Sequence, residues 1–538
     1  MQSYSRRRAL SLAVLLAVSL LPVVASAQLG GIGGGFGGTI NNTTDVNVAN
    51  AAQSRHLPRA KHDSHTTLLP YHNKQTISLY AWTRKGLSVR TIDSDGRKWD
   101  DWRHLGNNAD NPPLYRLDQD DPQNTPAGGG IDTGLVVRDA LGASSDHQLF
   151  FGYSTSQLTA VSLVRRPLGG AATFTRFLPP TNSTLTPSLN LGAWRSFSAQ
   201  AAIYTSDNRL EHIFGSGMID GAPRSLAYNW VTSAPLVELE RTQSGNTRVV
   251  SHGTPSGVAR VRMGPGSATV VTHRLVTNPD GGACCDPVKS SCEGQTPCYG
   301  LARSYVFVTA DSTYDAPTDL TTNGSTVYMR TRPENGSWSW SSLGAPTTRH
   351  TYGAPTVATY FSANPLSGGT GQLALFVTAF DERANRYKLY RNHHNGNGFQ
   401  GWVDVGRPSD IPSDVPFELT TALVWYQGNK FDWSALRIEL YGHSRAKSGA
   451  PAKLVHYRWS GSTWYWAPSV ADPRGGSLRT ESAAALDQSS YQRVSAFARA
   501  DSGHVFEYVL TSSSASPSAT FTLKDLSFEP KFKLITYP

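Results

Sequence analysis

Short runs in which apolar and polar residues alternate recur along the chain from about residue 61 onwards. One set of four such runs comprises Pro355–Phe361, Gln372–Phe380, Arg386–Arg391 and Phe399–Gly406. Alternation with a period of two is typical of β-strands, because successive side chains point to opposite faces of a sheet. Each set therefore predicts four short strands joined by turns.

The sets recur at a nearly constant interval. Their first runs begin near residues 64, 130, 196, 262, 353, 416 and 482, and the single long interval, from 262 to 353, contains a cysteine-rich insertion at 276–300. Repeats of four short strands are typical of propeller blades. The sequence therefore predicts an all-β fold, a seven-bladed β-propeller of four-stranded antiparallel blades over residues 61–538. Counts of six or eight blades stay open, because the fourth unit is poorly patterned.

Aromatic residues mark the predicted fourth strands. A glycine turn followed by two aromatic residues occurs four times, with the pairs Trp99 and Trp102, Trp338 and Trp340, Phe399 and Trp402, and Trp464 and Trp466. With these blade endings the chain resembles the tectonin-like and fucose-lectin-like bacterial β-propeller families. The resemblance implies sugar binding, for which Trp102, Trp340 and Trp402 are the aromatic candidates. Packing of the same rings between adjacent blades is the alternative use.

The N-terminal region has the features of an exported protein. Residues 1–27 combine Arg6, Arg7 and Arg8 with an apolar stretch and the small-residue site Ala25-Ser26-Ala27, which predicts a cleaved signal peptide. A membrane anchor is the alternative, but the apolar stretch is short for one. Residues 28–60 are rich in Gly and Asn and predict a flexible tether. We therefore expect a secreted or periplasmic protein without a transmembrane segment.

All the cysteines of the chain fall within the insertion. They are Cys284, Cys285, Cys292 and Cys298. In an oxidising compartment they are expected to form local disulfides, with three pairings open. A zinc site is the alternative, but the run contains neither a histidine nor a pair of cysteines separated by two residues.

Composition and charge narrow the class of ligand. The formal net charge is +9 with 17% charged residues, which suggests attraction to acidic polysaccharide or to a cell-surface glycan. Nucleic acid is not expected, because no block of Lys and Arg is interleaved with aromatic residues. No phosphate-binding loop or metal-binding motif is present, so we expect no cofactor and no metal. The turn-rich run Asn392–Gly398 predicts a solvated hairpin tip that carries His393 and His394.

Polar residues precede or begin the predicted innermost strands, where a propeller has the mouth of its central channel. They are Asp63, His65, Asp132, Arg195, His252, Arg349, His350, Tyr352, Asp414, Arg479 and Glu481. A histidine or tyrosine base beside an arginine is suited to β-elimination on a uronate, because the base removes the proton next to a carboxylate that the arginine neutralises. The catalytic candidates are His252, Arg349, His350 and Tyr352.

The same mouth has two other interpretations. His65, Asp132, Arg195 and Glu481 are candidates for holding a sugar by hydrogen bonds alone. Polar residues also fill the solvated channel of any propeller. The sequence thus favours a secreted lectin-like propeller. A propeller polysaccharide lyase or glycoside hydrolase and a protein-interaction scaffold are the alternatives.

Overall fold

The computed structural model describes most of the chain beyond residue 235 and separate strands before it. The described residues are 47–49, 68–72, 77–83, 86–92, 98–106, 130–138, 147–154, 159–166, 173–177, 194–204, 210–219, 236–242, 247–258, 260–263, 266–275, 300–311, 326–333, 336–347, 350–361, 371–426, 434–447, 449–488, 491–500, 504–510 and 520–526. The predictions for the signal peptide, Asp63, His65, Arg349 and the four cysteines concern residues outside these ranges.

The described strands form seven antiparallel sheets, numbered here in chain order. Sheet 1 contains β2 (Leu68–His72), β3 (Ile77–Thr83), β4 (Gly86–Thr91) and β5 (Arg103–Gly106). Sheet 2 contains β6 (Gly130–Arg138), β7 (His147–Ser154), β8 (Thr159–Arg166) and β9 (Thr173–Phe177), with β1 (Asn47–Ala49) added beside β6. Sheet 3 contains β10 (Trp194–Tyr204), β11 (Leu210–Ile219), β12 (Leu236–Thr242) and β13 (Thr247–Gly253).

The remaining four sheets have the same antiparallel order. Sheet 4 contains β14 (Arg260–Arg262) and β15 (Ala268–Leu275), which pair with opposite ends of β16 (Gly300–Asp311), followed by β17 (Val327–Pro333) and β18 (Ser339–Ser342). Sheet 5 contains β19 (His350–Phe361), β20 (Gly371–Asp381), β21 (Arg386–His394) and β22 (Phe399–Asp404). Sheet 6 contains β23 (Phe417–Tyr426), β24 (Leu436–Ser444), β25 (Leu454–Trp459) and β26 (Trp464–Val470). Sheet 7 contains β27 (Leu478–Gln488), β28 (Tyr491–Ala500), β29 (Val505–Leu510) and β30 (Phe521–Asp525).

The predicted all-β fold with four-stranded antiparallel sheets is confirmed. Each predicted first run coincides with the start of a sheet or lies within a few residues of it, and the insertion at 276–300 falls between β15 and β16. Within the described residues, no helix is long and apolar enough to cross a membrane.

Burial differs between the middle and the outer strands of a sheet. The middle strands β20, β24 and β25 are buried along most of their length, whereas most residues of the fourth strands β18 and β22 are exposed or half-buried. A strand packed on both faces reads as a continuous apolar run, and a rim strand alternates. The middle strands of sheets 5 and 6 are therefore covered on both faces, and the fourth strands of sheets 4 and 5 are more exposed.

Side-chain hydroxyls join the first strands of neighbouring sheets. Thr356 in β19 donates to the carbonyl of Leu419 in β23 at 2.7 Å, and Thr420 in β23 donates to the carbonyl of Thr480 in β27 at 3.3 Å. Thr356 and Thr420 lie where the ladder of their own sheet shifts register. A β-bulge leaves backbone groups out of the hydrogen-bond ladder of a sheet. The carbonyls that accept from these hydroxyls lie beside such shifts in the neighbouring sheets.

The last sheet also packs on the first. Trp99 and Trp102, at the outer side of sheet 1, share a buried apolar cluster with Phe497, Val505 and Leu526 of sheet 7. The first strands β2 and β27 are in contact as well. Contacts between sheets therefore run along the chain and return from the end to the beginning.

One stretch of the predicted tether is structured. Asn47–Ala49 forms β1, which pairs antiparallel with β6 through Val136, Leu135 and Gly134. It also contacts β2 and β27. The open edge of a first strand exposes backbone N–H and C=O groups, which can pair with an extended segment of any sequence. The Gly- and Asn-rich composition of this region therefore does not reveal the pairing.

Candidate functional site

One hydrogen bond recurs between successive sheets. The second aromatic residue of each pair is a tryptophan, and it donates its indole N–H to a backbone carbonyl at or directly after the end of the neighbouring fourth strand. These bonds join Trp340 to His252 at 3.1 Å, Trp402 to Leu343 at 2.9 Å, Trp466 to Val405 at 3.2 Å and Trp102 to Leu526 at 3.0 Å. For Trp102, Trp340 and Trp402 this contact favours the packing role over sugar stacking. Trp102 in particular is only 8% exposed.

Glycine follows the acceptor residue at three of these junctions. Gly253, Gly344 and Gly406 have φ of 66°, 73° and 81°. Residues with a Cβ rarely adopt this left-handed conformation. The glycine of the repeated blade ending thus allows the chain to leave the fourth strand for the next sheet.

His252 occupies this exit position in sheet 3, which corrects its predicted location. It lies at the end of β13, the fourth strand of its sheet, and not at a first strand. The sequence around it, Ser251-His252-Gly253, replaces the usual Leu or Val before the glycine by histidine. Its side chain contacts Glu238 of sheet 3 and Arg330 of sheet 4, and therefore lies between these two sheets.

Polar and aromatic side chains of sheets 3 and 4 meet where the two sheets pack together, and several of them are half-buried. We call this group of residues the Trp338 cleft. Its members are Glu238 on β12, His252 on β13, Arg330 and Arg332 on β17, Trp338, and Trp340 on β18. Glu238 and His252 are buried, whereas the two arginines and the two tryptophans are half-buried.

Glu238 and His252 form a closed pair at the base of the cleft. Glu238 Oε2 lies 2.6 Å from His252 Nε2, and each side chain is 2% exposed. Arg330 Nε donates to His252 Nδ1 at 3.4 Å. Because Nδ1 accepts this bond, the proton of a neutral ring is on Nε2 and is donated to Glu238. Neither ring nitrogen is free to accept a proton from a substrate.

The two arginines stack on the two tryptophans. The Arg330 guanidinium carbon lies 5.2 Å from the ring centre of Trp340, and that of Arg332 lies 5.1 Å from the ring centre of Trp338. The Trp338 ring also meets the His252 ring edge to face at 5.0 Å. Burial lowers the pKa of the Arg330 guanidinium, and Glu238 partly offsets this. Arginine nevertheless stays protonated at neutral pH.

Two other interfaces between sheets hold buried glutamates, but both are sealed. Between sheets 6 and 7, Glu439 contacts His456 at 2.6 Å and Arg458 at 2.8 Å, and all three side chains are at most 1% exposed. Between sheets 7 and 1, Glu507 accepts from Arg493, Ser495 and Trp99. Because the charged groups of both clusters are covered, we expect the clusters to stabilise the fold, although Tyr465 beside Arg458 is half-buried. The Trp338 cleft differs in that its arginines are half-buried as well as its tryptophans.

The predicted mouth residues are spread over several first strands. Asp132, Arg195 and Glu481 each lie at a register shift, in β6, β10 and β27 respectively. Arg479 also lies in β27. Such shifts are where a first strand bends. Whether these residues converge on a ligand stays a prediction.

His350 and Tyr352 share β19 in uninterrupted register, which places them on the same face of the strand. The Tyr352 ring packs edge to face on Tyr387 at 5.9 Å, against the apolar core of sheets 5 and 6. Asp414 is exposed and forms an ion pair with Lys447. The catalytic role of His350 and Tyr352 stays a prediction.

The solvated hairpin predicted for His393 and His394 is only partly correct. The turn begins after His394, because β21 extends to this residue. His394 is buried and packs on Tyr305 and Phe399, and His393 stacks on Tyr360. Burial and the nearby Arg391 lower the pKa of His393. The alternation of buried and half-buried side chains in β21 continues through Asn392, His393 and His394. The turn-forming residues that follow hid this continuation of the strand in the sequence.

Four residues of the Trp338 cleft were absent from the predicted sites. Glu238 stands in Leu236-Val-Glu-Leu-Glu, where period two places it on the same face as the buried Leu236. Arg330 and Arg332 are likewise two residues apart, as are Trp338 and Trp340. This shared spacing was the available signal, but it does not reveal that β12 and β17 belong to neighbouring sheets.

Comparison with known proteins finds no matching family and no matching curated protein. Among solved structures, the chain is similar to a variant of Aleuria aurantia lectin in complex with alpha-methyl-L-fucoside, at 13% identity over 73% of this chain and 94% of that chain, with a TM-score of 0.35. It is similar to AofleA from Arthrobotrys oligospora at 11% identity over 71% and 82% of the two chains, with a TM-score of 0.33. It is also similar to Trypanosoma rangeli sialidase at 7% identity over 70% and 52%, with a TM-score of 0.33. At identities and TM-scores this low, the chain is not assigned to any of these families, and its function is inferred from the cleft itself.

Proposed function

We propose that this chain is a closed seven-bladed β-propeller that binds carbohydrate, without chemical reaction, in the Trp338 cleft. The single observation that carries the proposal is the half-buried Trp338 ring, which lies beside Arg332 and His252, with the buried Glu238–His252 pair beneath it. Sugar sites in proteins combine an apolar aromatic surface with a few fixed polar groups. The cleft has both kinds of group.

The recurring indole contact supports ring closure. Sheet 1 meets sheet 7 through Trp102 and the Leu526 carbonyl in the same way that sheet 5 meets sheet 4 through Trp402 and the Leu343 carbonyl. In an open array, the first and last units would present unpaired faces. Seven equivalent units and a shared contact between first and last are what a closed ring requires.

The polar groups of the cleft are suited to hold hydroxyl groups of a sugar. The guanidinium N–H groups of Arg330 and Arg332 are hydrogen-bond donors, and the half-buried Trp338 indole offers apolar surface to the C–H side of a pyranose ring. Stacking of the two guanidinium groups on the tryptophan rings fixes the guanidinium planes before a ligand arrives, which lowers the entropic cost of binding. Preorganised groups of this kind favour recognition.

Binding is favoured over lyase chemistry by the state of His252. A general base needs an accessible lone pair within hydrogen-bonding reach of the substrate proton. His252 Nδ1 already accepts from Arg330, and the side chain is 2% exposed. The sequence also predicts a signal peptide, and its net charge of +9 suggests acidic ligands. We therefore propose a secreted or periplasmic lectin-like protein.

The test is a glycan array probed with the mature protein from residue 28, alongside Trp338→Ala and Phe399→Ala. Phe399 is the matched control, because it holds the equivalent position in sheet 5 but packs on Phe307 and His394 without a buried acid. We expect binding to at least one glycan class, lost in Trp338→Ala and retained in Phe399→Ala. No binding of the wild-type protein, or equal loss in both variants, contradicts the proposed site.

A further inference from the structure

We propose that Asn397, in the turn between β21 and β22, is a site of spontaneous deamidation, and that Asn395 is protected from the same reaction. The turn contains two Asn-Gly dipeptides in succession, Asn395-Gly396 and Asn397-Gly398. They share one short loop, but the protein holds their reacting groups differently. The inference concerns covalent chemistry of the chain itself and is independent of the proposed sugar site.

Deamidation of asparagine depends on the residue that follows it. The backbone nitrogen of that residue attacks the side-chain carbonyl carbon, a C–N bond forms, and the amide nitrogen leaves as ammonia with the proton of the attacking N–H. Water then opens the cyclic imide at either carbonyl, which gives aspartate or isoaspartate. A following glycine favours the attack, because it has no side chain to hinder the approach and adopts the widest range of backbone conformations.

At Asn395, both reacting groups are already bonded within the turn. The side-chain oxygen of Asn395 accepts from the backbone N–H of Asn397 at 3.0 Å, a local contact that asparagine commonly makes in turns. The N–H of Gly396, which is the nucleophile for this site, donates to Nδ1 of the buried His394 at 3.1 Å. Ring closure at Asn395 therefore requires the Gly396 bond to break, and the side-chain bond opposes the rotation that brings the two atoms together.

At Asn397, the reacting groups are not held in this way. Asn397 is exposed. Among the described residues, none forms a hydrogen bond with its side-chain amide or with the N–H of Gly398. A Cβ placed on Gly398 would meet nothing within 4 Å, so the space around the nucleophile is open. The Asn397 side chain can therefore rotate towards this nitrogen without breaking a contact.

The product changes the turn in two ways. It adds a negative charge, and its isoaspartate form lengthens the backbone by one carbon atom. The carbonyl of Gly398 accepts from the N–H of Asn395 at 3.4 Å and from the side chain of Gln400 at 2.9 Å. Both bonds lie across the lengthened stretch or directly beside it, so we expect isoaspartate to weaken them.

The experiment follows both asparagines by peptide mapping of the mature protein during incubation at mildly alkaline pH. Mass spectrometry, with fragmentation that distinguishes isoaspartate from aspartate, gives the modified fraction at each site over time. The same incubation in urea is the reference, because the two dipeptides become chemically equivalent when the fold is lost. Gly398→Ala is the test variant, since its methyl group hinders the attack at Asn397 and leaves Gly396 unchanged. Thermal unfolding before incubation establishes that the variant is folded.

In the folded protein we expect Asn397 to react about fivefold faster than Asn395 or more, as the loss of one hydrogen bond implies. In urea the two rates should be similar. Gly398→Ala should slow the reaction at Asn397 and leave the rate at Asn395 unchanged.

Three results overturn the inference. The first is no reaction at Asn397 in the folded protein, or an equal rate at Asn395. The second is a faster reaction at Asn395, which would indicate that His394 acts as the base that removes the Gly396 proton. The third is an unchanged rate at Asn397 in Gly398→Ala.

Discussion

The indole N–H of Trp102 donates to the backbone carbonyl of Leu526 at 3.0 Å, although the two residues are 424 positions apart in the chain. The contact repeats the geometry by which Trp402 meets Leu343 in consecutive sheets. A bond that is local in space but spans the chain can form only when the last sheet has returned to the first. The contact therefore shows that sheet 7 packs on sheet 1.

Loss of this bond should weaken the whole fold. Trp102→Phe removes one buried hydrogen bond and part of the ring volume, and we expect the free energy of unfolding to fall by about 1–3 kcal/mol. Urea denaturation followed by circular dichroism measures it. Trp402→Phe is the comparison: its ring is half-buried, so a smaller loss is expected. A larger loss in Trp402→Phe than in Trp102→Phe would argue against closure through Trp102.

The glutamate between sheets 7 and 1 should be structurally critical. Glu507 is fully buried and bonds both Arg493 and Trp99. Glu507→Gln leaves the buried Arg493 charge without its counter-ion, and such removals cost about 3–5 kcal/mol. Asp525→Asn breaks the exposed pair with Arg474 and should change stability by no more than about 0.5 kcal/mol. Similar unfolding midpoints for the two variants would contradict this assignment.

Close approach of β23 and β24 depends on one glycine. A Cβ on Gly442 would lie 1.8 Å from the carbonyl oxygen of Glu418, so Gly442→Ala forces the backbone to move. We expect either failure to fold or a fall in melting temperature of several degrees. In the control Gly398→Ala the new methyl meets nothing within 4 Å. Equal melting temperatures of the two variants would show that the strands separate easily.

Acid should destabilise the protein partly through His456. Burial lowers the pKa of this imidazole in the folded state, with Glu439 opposing the shift. The unfolded state, with a pKa of about 6.5, then binds more protons, so stability falls as the pH drops below that value towards the folded pKa. His456→Gln should show a shallower decline between about pH 6.5 and 5. An unchanged slope, measured by urea unfolding at each pH, would assign the acid sensitivity elsewhere.

The repeat of the strands could be predicted from the sequence, but the pairing of sheets across an interface could not. Period-two runs such as Gln372–Phe380 and the glycine-aromatic endings locate β20 and β22 to within a residue or two. The blade ending also contains the signal for the sheet junction, since Trp102 and Trp402 make equivalent bonds.

The candidate site shows where such inference ends. His252 was predicted among the residues that lead into an innermost strand, and its partner Glu238 was not identified at all. A carboxylate on the buried face of a strand is visible in the sequence, but the residue that forms a hydrogen bond with it comes from another strand. Contacts of this kind depend on register and on sheet packing, which alternation of side chains does not encode.

A crystal structure of the mature protein with the glycan selected on the array would show directly whether the Trp338 cleft binds sugar. We expect sugar density between sheets 3 and 4, against the Trp338 ring. Density elsewhere, such as at the first strands beside Tyr352, with the Trp338 cleft empty, would contradict it.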